Sequence, residues 1–277
     1  MRGGSRFYQD PENLQVTVPG VTSVISMLSK PFLQFWAAKM AAELAVDSID
    51  YLKEMAERDR DGAVAFVKGA STRYTKLRAD IGSQAHDQFE RLIRGDYVGR
   101  VSQDMAPYVA HFREFLERVN PELISAEDVM WSDTHAYAGS SDAVLRVWLF
   151  ADNTPDPTRG KFGHSQPVNL ITDWKTSKDI HSEVALQLAA YGHADRLITP
   201  DGTSHPMPEI EGGAVLHVTP EGWNFKPVSI GEDVFAAFLA LREVFRWDRE
   251  LSKTVLQKSI AQSGSALRVT GTQRRAK

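Results

Sequence analysis

Asp173 and Lys175 stand two apart in the stretch V-N-L-I-T-D-W-K, where a short apolar run over 168–171 ends on a charge pair. The run has strand character, and side chains alternate across a strand, so the carboxylate and the ammonium point to the same side. Held together, they are the minimal parts for metal-assisted attack on a phosphodiester. Asp173 would hold a divalent cation, and Lys175 would face the attacking water or the scissile phosphate. Downstream, Gln187 and Tyr191 are four apart in an Ala- and Leu-rich segment, 182–197, that reads as a helix, so they share one helical face. A lone Asp-x-Lys is common by accident. Its weight comes from two residues upstream: His86 in G-S-Q-A-H, on a helix, and Asp142 in G-S-S-D, at the start of a strand.

The elements that must position these residues follow from periodicity and breakers. Residues up to 19 read as irregular, with Pro11 and Pro19 as breakers. A short helix starts at Val21 behind a Thr or Ser cap, and Pro31 suits the first turn of a long helix running towards Arg58. Phe32, Phe35 and Trp36 recur along it at helical spacing, which reads as a packed aromatic stripe, with a base-stacking platform as the alternative. Residues 61–68 form another helix and 71–94 a second long one, striped by Leu77, Ile81, Phe89, Leu92 and Ile93. His86 lies at the edge of that stripe and on its own reads as a core histidine; Arg73, Lys76 and Arg78 read as a solvated face.

A helix over 105–119 stops before Pro121, and from Leu123 the pattern turns to strands. These cover 123–131, then 136–138 leading into a glycine turn, then 143–150, which pairs antiparallel with the Asp173 strand across a long mobile loop. After the Gln187 helix come a loop over 202–213, strands over 214–219 and 223–228, and a helix over about 233–249. The chain thus divides into a helical region (1–120) carrying His86, a core (121–250) and a basic tail (251–277). The tail reads as disordered; Arg268, Arg274, Arg275 and Lys277 would tether DNA or keep the end soluble.

Composition removes several classes. Hydrophobic content of 42% and charged content of 25% suit a globular protein. No apolar run approaches a membrane span, and the N-terminus lacks the apolar core of a signal peptide. With no cysteine there is no disulfide framework, thiolate zinc site, cysteine nucleophile or Cys-ligated iron–sulfur cluster, which agrees with a cytoplasmic location. The eight histidines show no His-x-x-x-His spacing, so a zinc hydrolase fits poorly. A net charge of −4 argues against a uniformly basic nucleic-acid binder, although a carboxylate-rich metal site offsets local basic patches in the sum.

The order helix-borne His86, strand-borne Asp142, Asp173-Trp174-Lys175 and helix-borne Gln187-x-x-x-Tyr191 resembles the RecB-type branch of the PD-(D/E)XK nuclease superfamily. Within that branch it looks most like the cysteine-free, phage-encoded exonucleases related to the CRISPR-associated RecB-type nucleases. The opening V-P-G-V-T-S-V-I-S-M-L-S-K-P-F-L-Q-F-W is similar to the N-terminal segment of those proteins, so the resemblance spans Val18 to Tyr191. It implies an α/β fold: a mixed central sheet flanked by helices, a restriction-endonuclease-like core, with an N-terminal helical region over one face. It also implies a divalent-metal-dependent DNA exonuclease. His86, Asp142, Asp173 and the main-chain carbonyl of Trp174 would ligate Mg²⁺ or Mn²⁺. Lys175 would position or help deprotonate the attacking water, and Gln187 and Tyr191 would shape the site and hold the strand.

The implied substrate is single-stranded or linear duplex DNA ends, in phage-type recombination, replication or repair in the bacterial cytoplasm, with a recombination or annealing protein as partner. Many RecB-type relatives carry four cysteines around an iron–sulfur cluster; this chain has none, so ordinary packing must replace the cluster. An endonuclease on the same fold and a catalytically inactive DNA-binding module are the alternatives. The intact His/Asp/Asp/Lys set favours an active enzyme over the second.

Overall fold

A computed structural model describes residues 4–261. The first segment, which reads as irregular, is a hairpin of β1 (Phe7–Gln9) and β2 (Thr17–Pro19). Proline is admissible there because a two-stranded ribbon leaves each strand an open edge. Then follow α1 (Val21–Ile25), α2 (Phe32–Asp47), α3 (Ile49–Arg58), α4 (Arg60–Lys68), α5 (Ala70–Arg94) and α6 (Ala106–Val119). The single helix expected towards Arg58 is divided at Ser48, which leaves helical geometry (φ −117°, ψ 27°) and caps both halves. Serine competes with the backbone for hydrogen bonds and suits such a junction.

The aromatic stripe of α2 is not packed. Phe32 and Phe35 are 53% and 78% exposed, while Trp36 meets Tyr74 edge-on. Arg73, Lys76 and Arg78 are exposed, as a solvated face requires; Arg73 also joins α4 to α5, with its Nη2 donating to Phe66 O at 2.7 Å and its guanidinium over the Phe66 ring.

The second half holds β3 (Glu122–Ala126), β4 (Val129–Ser132), β5 (Tyr137–Ser140), β6 (Ala143–Leu149), β7 (Gln166–Lys175), α7 (Val184–Gly192), β8 (Arg196–Ile198), β9 (Ser204–Pro206), β10 (Gly212–Thr219), β11 (Gly222–Val228) and α8 (Glu232–Arg249). The architecture is α/β. A mixed five-stranded sheet runs in the order β11-β10-β7-β6-β3, and β10 is parallel to β7 across the α7 crossover. The other pairs are antiparallel, including the expected β6–β7 pair. A four-stranded sheet has the order β5-β4-β8-β9.

Both faces of the five-stranded sheet are covered, which is why its central strands β6, β7 and β10 are largely apolar on both sides. On one face Phe89, Phe112 and Phe115 of α5 and α6 pack on Leu145, Trp174 and Leu216. On the other, Val24, Leu188 and Phe238 of α1, α7 and α8 pack on Val144, Ile171 and Val215. Each such side chain contributes about 1.5–3 kcal/mol on burial.

Several local expectations change. The strand expected over 123–131 is two strands in different sheets, separated by Glu127 and Asp128. Gly139 lies inside β5 and not in a turn. The helix expected to reach 197 stops at Gly192, and β8 and β9 occupy ground read as helix end and loop. The β6–β7 loop, expected to be mobile, is knitted by the Asp156 carboxylate, which accepts from Thr158 N, Gly160 N and Ser165 Oγ. Within the expected tail, Leu251–Lys253 form a 3₁₀ turn; Arg268, Arg274, Arg275 and Lys277 lie outside the described residues. Among the described residues no helix is long and apolar enough to cross a membrane.

Candidate metal centre

The site forms where α5 passes the ends of β6 and β7. Asp142 lies in the bend that carries the chain from β5 in one sheet to β6 in the other. It sits one position before the Ala143–Thr172 pair, so the antiparallel register puts it opposite Asp173. Opposed residues share a face, as do residues two apart on a strand. Asp142, Asp173 and Lys175 therefore converge on one side of the sheet end.

Asp142 is held from two directions. Its Oδ2 accepts from the main-chain N–H of Trp174 at 2.5 Å, and its Oδ1 lies 3.3 Å from His86 Nδ1. His86 rests its ring against Phe89 and Trp174, with centroids 6.4 and 5.9 Å away, so packing fixes the ring while its edge faces the cleft. Burial works against a charged imidazole, but the hydrogen bond and charge of Asp142, with help from Asp173, raise its pKa on balance. The Trp174 indole is buried among Phe89, Phe112 and His86; its backbone is what reaches the site.

Asp173 is only 3% exposed. Its Oδ1 accepts from Gln187 Nε2 at 3.0 Å, and its Oδ2 pairs with the Lys175 ammonium. That Oδ2 is fully enclosed and receives no well-directed hydrogen bond. Burial first, then the charge of Asp142, lifts the carboxyl to about 6 against the opposing pull of Lys175. Gln187 Nε2 also reaches Tyr191 Oη at 3.3 Å. Tyr191 is itself buried, which pushes its phenol well up and keeps it protonated. It supports Gln187 from behind and cannot touch a strand lying in the cleft. Gly139 makes room for it: a Cβ there would stand 2.8 Å from Tyr191 Cε1.

The structure adds Glu127. One ligand atom each from His86, Glu127 and Asp142 lies within 4.8 Å of the others, while Asp173 stands outside this trio with its oxygens turned to Gln187 and Lys175. Glu127 has φ 58°, a left-handed backbone that costs a non-glycine residue about 1–2 kcal/mol, and its N–H donates to Asp142 O at 3.3 Å. The turn is anchored by Arg94 Nη2 on Ala126 O and by Ser125 Oγ on Asp128 Oδ2. Burial first, then Asp142 and Glu90, raises the Glu127 carboxyl to about 7. The available signal in the sequence was the acidic pair Glu127-Asp128 interrupting an apolar run.

Two carboxylates and an imidazole in one cluster fit a hard divalent cation such as Mg²⁺ or Mn²⁺. The cleft they open into has a volume of about 610 Å³ and is also lined by Arg6, Gly82 and Glu90. Arg6, from the first hairpin, had no signal in the sequence. No protein-family model and no curated protein matches this chain.

Proposed function

We propose that the chain is a divalent-metal-dependent deoxyribonuclease that shortens DNA from its ends. The observation that carries this reading is the convergence of His86, Glu127 and Asp142 beside the Asp173–Lys175 pair. Mg²⁺ or Mn²⁺ held by His86, Asp142 and Glu127, with Asp173 and the Trp174 main chain adjoining, would supply Lewis acidity and lower the pKa of water. Lys175, held by Asp173, stabilises charge on the phosphate and orients the attacking water. Gln187 fixes Asp173 and is backed by Tyr191. Arg6 offers a guanidinium to a phosphate in the same cleft.

Preference for ends is supported by how the first helices attach. Lys30 Nζ lies 2.5 Å from Glu183 Oε1, and the Phe32 ring lies 6.5 Å from that of His181. Both ties hold the start of α2 against the segment that leaves β7 after Lys175, an arrangement better suited to a frayed or single strand than to closed duplex. With no cysteine the chain has no thiolate to ligate an iron–sulfur cluster. Cytoplasmic action with a recombination or annealing protein belongs to the same proposal.

The test is incubation with end-labelled linear and covalently closed circular DNA, in Mg²⁺, Mn²⁺ or EDTA. Linear DNA is expected to shorten from its ends in metal while circles persist and EDTA stops the reaction. Rapid linearisation of circles would reassign the chain as an endonuclease, full activity in EDTA would remove the metal, and binding without cleavage would leave an inactive module.

A further inference from the structure

The polar row at the end of the sheet does not stop at Lys175. In the parallel register of β7 and β10, Lys175 stands beside His217, and in the β10–β11 pair His217 stands opposite Asn224. Neighbouring partners share a face, so one row runs from Asp142 and Asp173 through Lys175 to His217 and Asn224. It leads into a second cavity, of about 670 Å³, lined by Arg78, Thr176, Lys178, His217, Trp223 and Asn224 among others. The helix α5 borders both cavities. Arg78 faces the second, while Ala79, Gly82, Ser83 and His86 face the metal cleft. A Cβ on Gly82 would lie 3.4 Å from Thr176 Oγ1, so the two cavities adjoin directly after Lys175.

Charge is divided between them. Asp87, Glu90, Glu127 and Asp142 line the metal cleft. In the second cavity Arg78 and Lys178 meet a single carboxylate, Glu221, with the His217 ring beside them. Arg78 and Lys178 are exposed, and neither pairs with a carboxylate among the described residues. The Arg78 Nε donates to Tyr74 Oη at 3.3 Å, which directs the guanidinium without neutralising it. His217 Nε2 is 2.6 Å from Ser177 O; a carbonyl only accepts, so this nitrogen carries the proton. The Trp223 indole is fixed by its bond to Glu114 and by Phe115. Unneutralised cations beside a fixed aromatic ring are what a nucleotide requires, with phosphate on the cations and the flat base or sugar on the ring.

We infer that this second cavity is a nucleotide subsite that holds the phosphodiester unit adjoining the one at the metal centre. That assignment of the occupant rests on the nuclease reading; the excess of cations in the cavity does not. The subsite keeps the strand in line past Lys175, and the acidic and basic cavities on either side of α5 take the cation and the backbone respectively.

The experiment is fluorescence anisotropy with a labelled oligothymidylate in Ca²⁺, comparing the native chain with Arg78→Ala/Lys178→Ala across a salt series. The double variant is expected to bind about tenfold or more weakly, and its log K against log salt slope to shrink by about 1.4, two contacts at roughly 0.7 each on a single strand. Arg78→Lys/Lys178→Arg is expected to restore both, and Glu221→Gln to tighten binding. Unchanged affinity and slope in the alanine variant, with an unchanged melting temperature, would overturn the subsite. So would a native chain that binds no oligonucleotide. Cleavage of the same probe by the native chain in Mn²⁺ separates the two claims. Binding without cleavage removes the nuclease reading and keeps the subsite, whereas cleavage with a fully binding alanine variant does the reverse.

Discussion

Asp142 and Trp174 are joined by a side-chain to main-chain hydrogen bond, in which the Trp174 N–H donates to Asp142 Oδ2 at 2.5 Å. The carboxylate is thereby tied to the end of β7, and its free oxygen is turned to His86. A ligand held by a strand backbone is better defined than one on a loop, because the sheet's ladder resists its displacement. The same bond links Asp142 to the strand that supplies Asp173 and Lys175, so a disturbance on either strand reaches both.

Stability of the metal-free protein should fall as pH rises from about 4 to 8. The Asp173 carboxyl is raised to about 6 and Glu127 to about 7. For an acid raised on folding, the native state binds more protons than the unfolded chain between the two pKa values, so stability declines across that interval. His86 is also raised, and its contribution is complete below its unfolded value and lost as pH climbs through the folded one. All three act in one direction. Metal at a hundredfold excess over Kd would restore about 2.7 kcal/mol, or roughly 5–10 °C in Tm. Differential scanning fluorimetry at pH 5 and pH 8, with and without Mn²⁺, checks this; a metal-induced shift equal at both pH values would contradict it.

Glu127→Gln should act with opposite signs on two readouts. It removes a raised carboxyl, so the metal-free protein should melt higher at pH 8. It also removes one donor of the trio, so titration calorimetry should find Mn²⁺ affinity lowered about tenfold or more. A variant that melts higher but binds metal normally would show that Glu127 stands beside the ion and does not hold it.

Lys175→Ala should separate binding from chemistry. Loss of one charge-stabilising donor lowers kcat about 10²–10³-fold. The metal-induced Tm shift should persist, since His86, Glu127 and Asp142 remain. Without its ammonium partner Asp173 is protonated more readily, so the metal-free variant should be destabilised more at pH 8 than at pH 5. Cleavage near the native rate would make Lys175 only a partner for Asp173.

Gly139→Ala should lower Tm although no catalytic group is touched. The new Cβ would stand 2.8 Å from the Tyr191 ring and 3.3 Å from Val21 Cβ. An overpacked core position costs about 1–3 kcal/mol. Displacing Tyr191 also loosens Gln187 and through it Asp173, so activity should fall with stability. A variant with native Tm would show that the ring yields without loss.

Local and periodic features were legible in the amino-acid order. The alternation along β6 and β7 sets Asp173 and Lys175 on one face, and the four-residue spacing of Gln187 and Tyr191 sets them on another, because both follow from backbone repeat alone. The order of strands and helices followed from the same alternation and length cues, while the mixed central sheet was what the resemblance implied. Residues whose role depends on distant partners were not legible. Residues 193–197 have helical composition, yet Asp195 accepts from Ser132 Oγ and Thr134 N, and Arg196 pairs with Asp10 and Asp133. Those bonds draw the segment out of the helix and into β8. Glu127 joins the site only because its turn adopts a left-handed backbone beside Asp142, and Arg6 only because the first hairpin folds against the cleft. His86 became a candidate ligand, and not a core histidine, when α5 docked with Phe89 and Ala85 inward and the imidazole edge towards Asp142. Tertiary packing decided these positions, since no local propensity encodes which strand end a helix will cross.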